Sequence, residues 1–135
     1  MRYAQMREYD ISNGPNVRAT LFVSGCTHNC KGCFNKAYQD FGYGNEWTKE
    51  SEEKFLKYVK DEKVKGVNIL GGEPLQQIMD DSLANLLAKI KINTNKPIWL
   101  WTGYKLEDLC LDLHNSNREN IIMSEYEKKF VKKNN

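Results

Sequence analysis

The strongest constraint on the fold is a set of three short apolar runs, each of which stops at a glycine. The runs are residues 18–24 (RATLFVS) before Gly25, residues 67–70 (VNIL) before Gly71, and residues 97–102 (PIWLWT) before Gly103. Their apolar and β-branched composition is typical of buried strands. Segments with helical periodicity separate the runs, and strands that alternate with helices usually pair in parallel. We therefore predict an α/β fold with a mostly parallel sheet.

Three segments show the periodicity of amphipathic helices. Their apolar faces are Phe55, Leu56 and Val59 in the first, Met79, Leu83, Leu86, Leu87 and Ile90 in the second, and Leu106, Leu109, Cys110 and Leu113 in the third. Thr48 is the predicted N-cap of the first helix, which should extend to about Lys63, and Asp80 or Asp81 should cap the second. Residues 120–124 (NIIMS) are predicted as a fourth strand.

The length of the chain limits the architecture. Its 135 residues suit one domain with one core. A complete eight-stranded α/β barrel needs about 250 residues, so an open, partial (β/α) barrel is the better expectation. In such sheets ligands bind at the carboxyl ends of the strands, and the cysteine-rich segment follows the first of these ends. Trp99 and Trp101 alternate on the third run and are expected to pack in the core.

Charge and hydropathy argue against several classes of function. The net charge of +2 is too small to indicate a nucleic-acid-binding protein. No apolar run approaches the roughly 18–20 residues that a membrane span requires. The first ten residues, MRYAQMREYD, lack the apolar region of a secretory signal. We therefore expect a cytoplasmic protein, and in that reducing compartment clustered cysteines more often hold metal than form disulfides.

Three of the four cysteines, Cys26, Cys30 and Cys33, follow the spacing C-x3-C-x2-C. Three closely spaced thiolates can hold three irons of a [4Fe–4S] cluster and leave the fourth iron open, as in a catalytic site. A zinc site with His28 or Cys110 as fourth ligand remains an alternative. So does an electron carrier in which Cys110 completes the cluster, although its place on an apolar helical face favours a core thiol.

The order of motifs carries a more specific resemblance. Three segments carry this resemblance: residues 10–36 (DISNGPNVRATLFVSGCTHNCKGCFNK), 70–75 (LGGEPL) and 99–106 (WLWTGYKL). The cysteine spacing and the GGEP sequence resemble the radical S-adenosylmethionine superfamily. The combined motifs are most similar to the activating proteins of the anaerobic (class III) ribonucleoside-triphosphate reductase, over roughly residues 1–110.

This resemblance implies a function. Cys26, Cys30 and Cys33 would hold a [4Fe–4S] cluster that reductively cleaves S-adenosylmethionine, and the 5′-deoxyadenosyl radical would then take hydrogen from a glycine of the partner reductase. The implied partners are that reductase and a low-potential electron donor such as flavodoxin or ferredoxin. An activating enzyme for another glycyl-radical enzyme, or another radical S-adenosylmethionine enzyme, is the alternative. The implied S-adenosylmethionine contacts are Gly32, Phe34, Gly71, Gly72 and Glu73, with Thr102 and Gly103 as further candidates.

The sequence departs from the resemblance at two places. Asn16 stands where relatives tend to have a second glycine after Gly14-Pro15. Relatives also continue beyond the region that resembles residues 129–131, whereas this chain stops at Asn135. We therefore expect a single radical S-adenosylmethionine activating domain, residues 1–135, that is shortened at its C-terminus.

Overall fold

The computed structural model describes residues 1–28, 30, 32–33 and 36–104. Within this part the strands are β1 (Arg2–Asp10), β2 (Arg18–Val23), β3 (Asn45–Glu46), β4 (Gly66–Gly71) and β5 (Ile98–Leu100), and the helices are α1 (Lys49–Lys60) and α2 (Ser82–Asn93). Two short 3₁₀ turns, Lys36–Gln39 and Pro74–Gln76, complete the regular structure. The predicted third helix and the predicted strand 120–124 lie outside the described residues.

The described strands form one open sheet in the order β3-β1-β2-β4-β5. The pairs β2–β4 and β4–β5 are parallel, as expected, whereas β1 pairs antiparallel with both β2 and β3. The expectation of a mostly parallel sheet is therefore wrong for this part of the chain, in which half of the pairings are antiparallel. The difference arises from β1, whose mixed polar sequence gave no strand signal and which returns to β2 through a short loop that only an antiparallel pair allows.

The two helices cover one face of the sheet and form the core with it. The fully buried side chains at this interface include Leu21, Val23, Val67 and Ile69 from the strands and Phe55, Val59, Leu86 and Ile90 from the helices. Thr48 caps α1 as predicted, with the Ser51 amide donating to its Oγ1 atom at 3.2 Å. The helix ends at Lys60 rather than near Lys63.

The second helix agrees with its predicted apolar face except at Met79. That side chain is 58% exposed because it precedes the first turn of α2 and therefore does not follow the helical period. Asp81 occupies the cap position without a side-chain cap bond. Asp80 instead accepts a hydrogen bond from the Ser82 amide at 2.9 Å, so the neighbouring acidic residue supplies the capping oxygen.

The two tryptophans of the third apolar run do not pack in the core, so that expectation is wrong. Ile98 and Leu100 face the helices and are buried, which places Trp99 and Trp101 on the opposite face of β5. The ring of Trp99 stacks on the guanidinium of Arg18, whose Cζ atom lies 4.3 Å from the ring centroid. Periodicity could not choose between the faces, because both alternating sets are apolar.

This opposite face of the sheet carries a buried polar network. Arg18 donates to Asn68 Oδ1 at 2.8 Å, and the Asn68 amide reaches Thr20 Oγ1 at 3.3 Å. Thr20 donates to Asp10 Oδ2 at 2.7 Å, and Asn13 donates to the same oxygen at 2.8 Å. Each of the four strand residues is nearly inaccessible, so the network satisfies polar groups that would otherwise be costly to bury.

The carboxyl of Asp10 makes this network sensitive to acid. Burial alone raises its pKa, but the hydrogen bonds from Asn13, Thr20 and the Ser12 amide, with the charge of Arg7, lower it below the ordinary value. A lowered pKa in the folded state means that the stabilisation is present above the unfolded pKa of about 3.9. It is lost as the pH falls through the folded pKa, when the carboxyl must be protonated.

Asp10→Asn is therefore expected to lower the free energy of unfolding by about 2 kcal/mol at pH 7, because its single amide oxygen cannot accept both the bonds from Thr20 and Asn13 and the bond from the Ser12 amide. The difference from the wild type should shrink as the pH falls from 5 to 3. Urea unfolding at several pH values measures it. Asp81→Asn, at an exposed carboxyl without a cap bond, is the matched control. A pH-independent difference between Asp10→Asn and the wild type would contradict the prediction.

The structure also explains the departure at Asn16. This residue has a φ of 63°, in the left-handed region that glycine adopts without steric cost. Asparagine is among the few other residues that tolerate this conformation. The turn therefore keeps the geometry that a glycine would allow.

In the part of the chain that the structure describes, no helix combines the length and the apolar character that crossing a membrane would need.

Candidate functional site

The carboxyl ends of β2, β4 and β5 meet at one edge of the sheet, because these three strands are parallel. A cavity of about 360 Å³ opens there. Its walls are Cys26, His28, Cys30, Cys33, Gln39, Leu70, Gly71, Gly72, Glu73, Trp101, Thr102 and Gly103. The segments that follow the three apolar runs are thus brought together, and all three clustered cysteines face one space.

The cysteine-containing loop leaves the sheet at Gly25, whose φ of 116° turns the chain away from β2. Its beginning is bound to the 3₁₀ turn that follows it, since the Gly25 amide donates to Tyr38 O at 2.7 Å and the Cys26 amide to Gln39 O at 3.0 Å. Cys26 and Cys33 are partly exposed, and Cys30 is exposed. All three thiols are free and accessible from the cavity side of the loop.

Electrostatics places the three thiols within one another's influence. The pKa of Cys26 is raised above its ordinary value, with burial as the largest cause and a backbone hydrogen bond from His28 opposing it. The charges of Cys30 and Cys33, together with Glu73, raise it further. A thiol in this setting gains from a nearby cation, because metal binding replaces the proton and removes the repulsion.

The three cysteines form the donor set that an iron–sulfur cluster would use. Among the described residues, no three Cys, His, Asp or Glu side chains already stand in the geometry of a single-ion site. The three cysteines nevertheless share a cavity that contains no other cysteine from the described residues. Three soft thiolates on one loop suit iron–sulfur chemistry, so these residues fit such a group by their chemistry.

Gly71 and Gly72 are required by the backbone around them. Gly71 has a φ of 111°, and a Cβ atom at Gly72 would lie 2.5 Å from the Gly25 carbonyl oxygen and 2.7 Å from that of Tyr38. The Gly72 amide donates to Val23 O, and the Glu73 amide donates to Gly25 O, each at 2.8 Å. The two glycines therefore allow the chain after β4 to pass directly against the start of the cysteine loop.

The carboxylate of Glu73 is the centre of the site's polar contacts. Only 1% of the residue is exposed. Its Oε1 atom accepts from His28 Nε2 at 2.8 Å and from the Gly103 amide at 2.7 Å, and its Oε2 atom accepts from the Leu75 amide at 2.9 Å. The hydroxyl of Thr102 lies 2.8 and 2.9 Å from the two oxygens. Four donors fill the roughly four acceptor positions of a carboxylate.

The structure places the other predicted site residues less centrally. Gly32 has a φ of 75°, nothing lies within 4 Å of the position of a Cβ atom there, and the residue is not among those that line the cavity. Phe34 and Cys110 lie outside the described residues. Thr102 and Gly103, the further candidates, do line the cavity and contact Glu73.

Sequence reasoning missed several residues of the site. Trp101, Leu70 and Gln39 line the cavity. Gln76 and Tyr104 contact the cysteine loop beside it, at Thr27 and His28 respectively. The face of Trp101 could have been inferred if Leu100 had been assigned to the core. Gln76 and Tyr104 carry no sequence signal by themselves, because their partners lie far away along the chain.

Comparison with known protein families shows the general class to which the chain belongs. A family model described as "4Fe-4S single cluster domain" matches residues 12–132, so the chain belongs to this family of iron–sulfur domains. The matched region begins before β2 and includes all of the cysteines.

Individual relatives define the family more narrowly. Each of three is named "Anaerobic ribonucleoside-triphosphate reductase-activating protein". The Salmonella typhimurium protein is 45% identical over 113 residues, which cover 81% of this chain and 73% of the relative. The Vibrio cholerae protein is 40% identical over 112 residues (81% and 72%), and that of Enterobacteria phage T4 is 34% identical over 110 residues (81% and 70%). The chain belongs to the family of anaerobic ribonucleoside-triphosphate reductase-activating proteins, which confirms the resemblance found in its motifs.

Proposed function

We propose that this protein is a radical S-adenosylmethionine enzyme that generates the glycyl radical of an anaerobic ribonucleoside-triphosphate reductase. Cys26, Cys30 and Cys33 would hold a [4Fe–4S] cluster whose fourth iron is left for S-adenosylmethionine. The observation that carries the proposal is the cavity at the carboxyl ends of three parallel strands, which the three thiols line together with Gly71 and Gly72. The names of the relatives support the choice of target.

A [4Fe–4S] cluster held by the three thiolates would, when reduced, supply the electron for cleavage of S-adenosylmethionine to methionine and a 5′-deoxyadenosyl radical, and that radical would take hydrogen from the partner's glycine. A low-potential donor such as flavodoxin or ferredoxin would supply that electron. The protein would act in the cytoplasm, where thiols remain reduced. Residues 1–135 would form one domain with the partial barrel of the radical S-adenosylmethionine type.

The chain's own residues have distinct roles in this proposal. The three thiolates would bind iron, and the backbone at Gly71 and Gly72 would lie against S-adenosylmethionine. Glu73 would accept a hydrogen bond from the methionine ammonium if one of its present donors yields its place, and it holds the cavity in shape meanwhile. Gly32 and Phe34 would contact the adenine side. Trp101 forms an apolar wall that limits the access of water.

Anaerobic reconstitution with iron and sulfide tests the proposal. We expect the reduced protein to give the electron paramagnetic resonance signal of a [4Fe–4S]⁺ cluster, and we expect S-adenosylmethionine to change that signal. Replacing Cys26, Cys30 or Cys33 by alanine should abolish the cluster, whereas Cys110→Ser, the matched control, should keep it. Mixing the loaded protein with the reductase and S-adenosylmethionine should then produce a glycyl radical signal.

Other outcomes would contradict specific parts. A cluster signal that does not change when S-adenosylmethionine is added, and that disappears in Cys110→Ser, would indicate an electron carrier with four cysteine ligands. Retention of zinc without any cluster would indicate a structural metal site. A cluster that cleaves S-adenosylmethionine but leaves the reductase without a radical would mean that the target is another protein.

A further inference from the structure

The side chain of Gln76 holds the cysteine loop at two points. Its Oε1 atom accepts from the backbone amide of Thr27 at 2.9 Å, and its Nε2 atom donates to Thr27 Oγ1 at 2.7 Å. Thr27 directly follows Cys26, whereas Gln76 lies on the 3₁₀ turn after β4. One glutamine amide therefore fixes both the backbone and the side chain of a residue 49 positions earlier.

A closed ring of contacts includes this pair. Gln76 Nε2 also donates to the hydroxyl of Tyr104 at 2.9 Å, and the Tyr104 ring meets the His28 ring edge-on, with centroids 4.6 Å apart. His28 donates to Glu73, three residues before Gln76. We call Thr27, His28, Glu73, Gln76 and Tyr104 the anchor ring. It joins the segments after β2, β4 and β5, which carry the three sequence motifs.

Contacts on both sides of Cys26 tie the start of the cysteine loop to other elements. Before Cys26, the carbonyl of Gly25 accepts from the Glu73 amide at 2.8 Å and from Gln77 Nε2 at 3.1 Å. After Cys26, Thr27 and His28 are held by the anchor ring. For Cys30 and Cys33, the backbone bond within the described residues is the local turn in which the Cys33 amide donates to Cys30 O at 3.3 Å. Both flanks of Cys26 are therefore fixed to other elements.

We propose that Gln76 is a positioning residue that holds Cys26 in place as a ligand of the cluster. This inference rests on the proposed function, since it assigns the anchor ring to the cluster-binding loop. Loss of the Gln76 amide would release Thr27, widen the range of positions of the Cys26 thiolate, and weaken its hold on the iron. The Gln76 side chain itself need not touch the cluster.

Two variants separate the effect of the side-chain hydrogen bonds of Gln76 from the effect of its volume. Gln76→Leu keeps the approximate volume and removes every hydrogen bond. Gln76→Glu keeps the Oε1 acceptor for the Thr27 amide, and the hydroxyls of Thr27 and Tyr104 can both donate to its second oxygen. Gln5→Leu is the matched control, because Gln5 is also a partly buried glutamine that donates to a tyrosine hydroxyl, that of Tyr38, at 2.7 Å.

The first experiment measures amide hydrogen exchange at Thr27 in the cluster-free protein. In Gln76→Leu the exchange rate should rise about fivefold to tenfold, since one amide hydrogen bond is lost. It should stay near the wild-type rate in Gln76→Glu and Gln5→Leu. An unchanged rate in Gln76→Leu would overturn the anchoring, whatever the protein binds.

The second experiment loads the same proteins with iron and sulfide and follows release of iron to a chelator, together with the paramagnetic resonance line shape. Gln76→Leu should lose iron about tenfold faster and show a broader signal, and Gln76→Glu should restore both properties. Faster Thr27 exchange with unaltered iron release and line shape would overturn the positioning role. Failure of the wild-type protein to bind a cluster would instead overturn the proposed function, while the exchange experiment still decides the anchoring.

Discussion

Gly72→Ala is expected to destabilise the protein by about 3 kcal/mol, at the upper end of the cost of adding a methyl group to a packed site. Its Cβ atom would stand 2.5 Å from Gly25 O, 2.7 Å from Tyr38 O and 2.8 Å from Gly25 N. All three neighbours are backbone atoms that other hydrogen bonds already hold, so none can move aside without breaking a contact of the cysteine loop. Urea unfolding of the cluster-free protein measures the loss.

Gly42→Ala is the matched control for this substitution. A Cβ atom at Gly42 would meet only a side-chain oxygen, Asp40 Oδ1, at 3.3 Å, and a side chain of this kind can rotate. Equal unfolding midpoints for Gly72→Ala and Gly42→Ala would show that the chain after β4 has more room than the structure indicates. Because the displaced atoms begin the cysteine loop, Gly72→Ala should also reduce the iron content of reconstituted protein.

Removal of the Glu73 carboxylate is expected to have the second large effect. Glu73→Ala leaves the buried Thr102 hydroxyl and the part-buried amides of Leu75 and Gly103 without their acceptor and should cost about 4 kcal/mol, at roughly 1–3 kcal/mol for each unsatisfied donor. Glu73→Gln keeps one acceptor oxygen and turns an amide donor toward other donors, so about half of that loss is expected. Thermal and urea unfolding of the cluster-free variants measure both values.

The comparison with Glu53→Gln, an exposed carboxylate on α1, controls for the loss of a negative charge. If Glu73→Gln proved as stable as Glu53→Gln, the carboxylate could not be the shared acceptor of four donors. The cluster-free measurement matters, because it separates the structural role of Glu73 from any contact with S-adenosylmethionine. If Glu73→Gln is fully folded but binds S-adenosylmethionine more weakly, the loss reports on the contact between Glu73 and S-adenosylmethionine alone.

Local sequence patterns predicted the elements that position the site. Thr48 predicted the start of α1, and Gly25 and Gly71 lie within two residues of the ends of β2 and β4, because caps and chain breaks depend on neighbouring residues. The third strand is shorter than predicted, since β5 ends at Leu100 and not directly before Gly103. β1 was missed because its sequence, RYAQMREYD, mixes polar and apolar residues without a clear strand pattern. Its extended conformation depends on pairing with β2 and β3, which are distant in sequence or follow a loop. The tryptophans of β5 were assigned to the wrong face for a related reason, because both faces of that strand are apolar.

The sequence predicted which segments of the chain would meet at the candidate site. The cysteine segment and the GGEP sequence were expected at the same edge of the sheet, and both line one cavity there. The iron–sulfur chemistry that the cysteine spacing indicated agrees with the matching family model, whereas the three-cysteine ligation stays a prediction. The partners of Glu73 were not predictable, because His28 and Thr102 reach it from 45 and 29 residues away. The expected role of Gly71 and Gly72 in ligand approach has not been tested, but contacts within the protein already require both glycines.

The separation of the anchored residues along the chain has a consequence for biogenesis. The flanks of Cys26 are held by residues 73–77 and by Tyr104, so the loop acquires its fixed end only after most of the sheet has been synthesised and folded. Iron and sulfide delivered to a growing chain would meet three cysteines whose relative positions are not yet defined. Cluster insertion should therefore follow completion of β5 during synthesis, and cells would need to keep these thiols reduced and unmetallated during that interval.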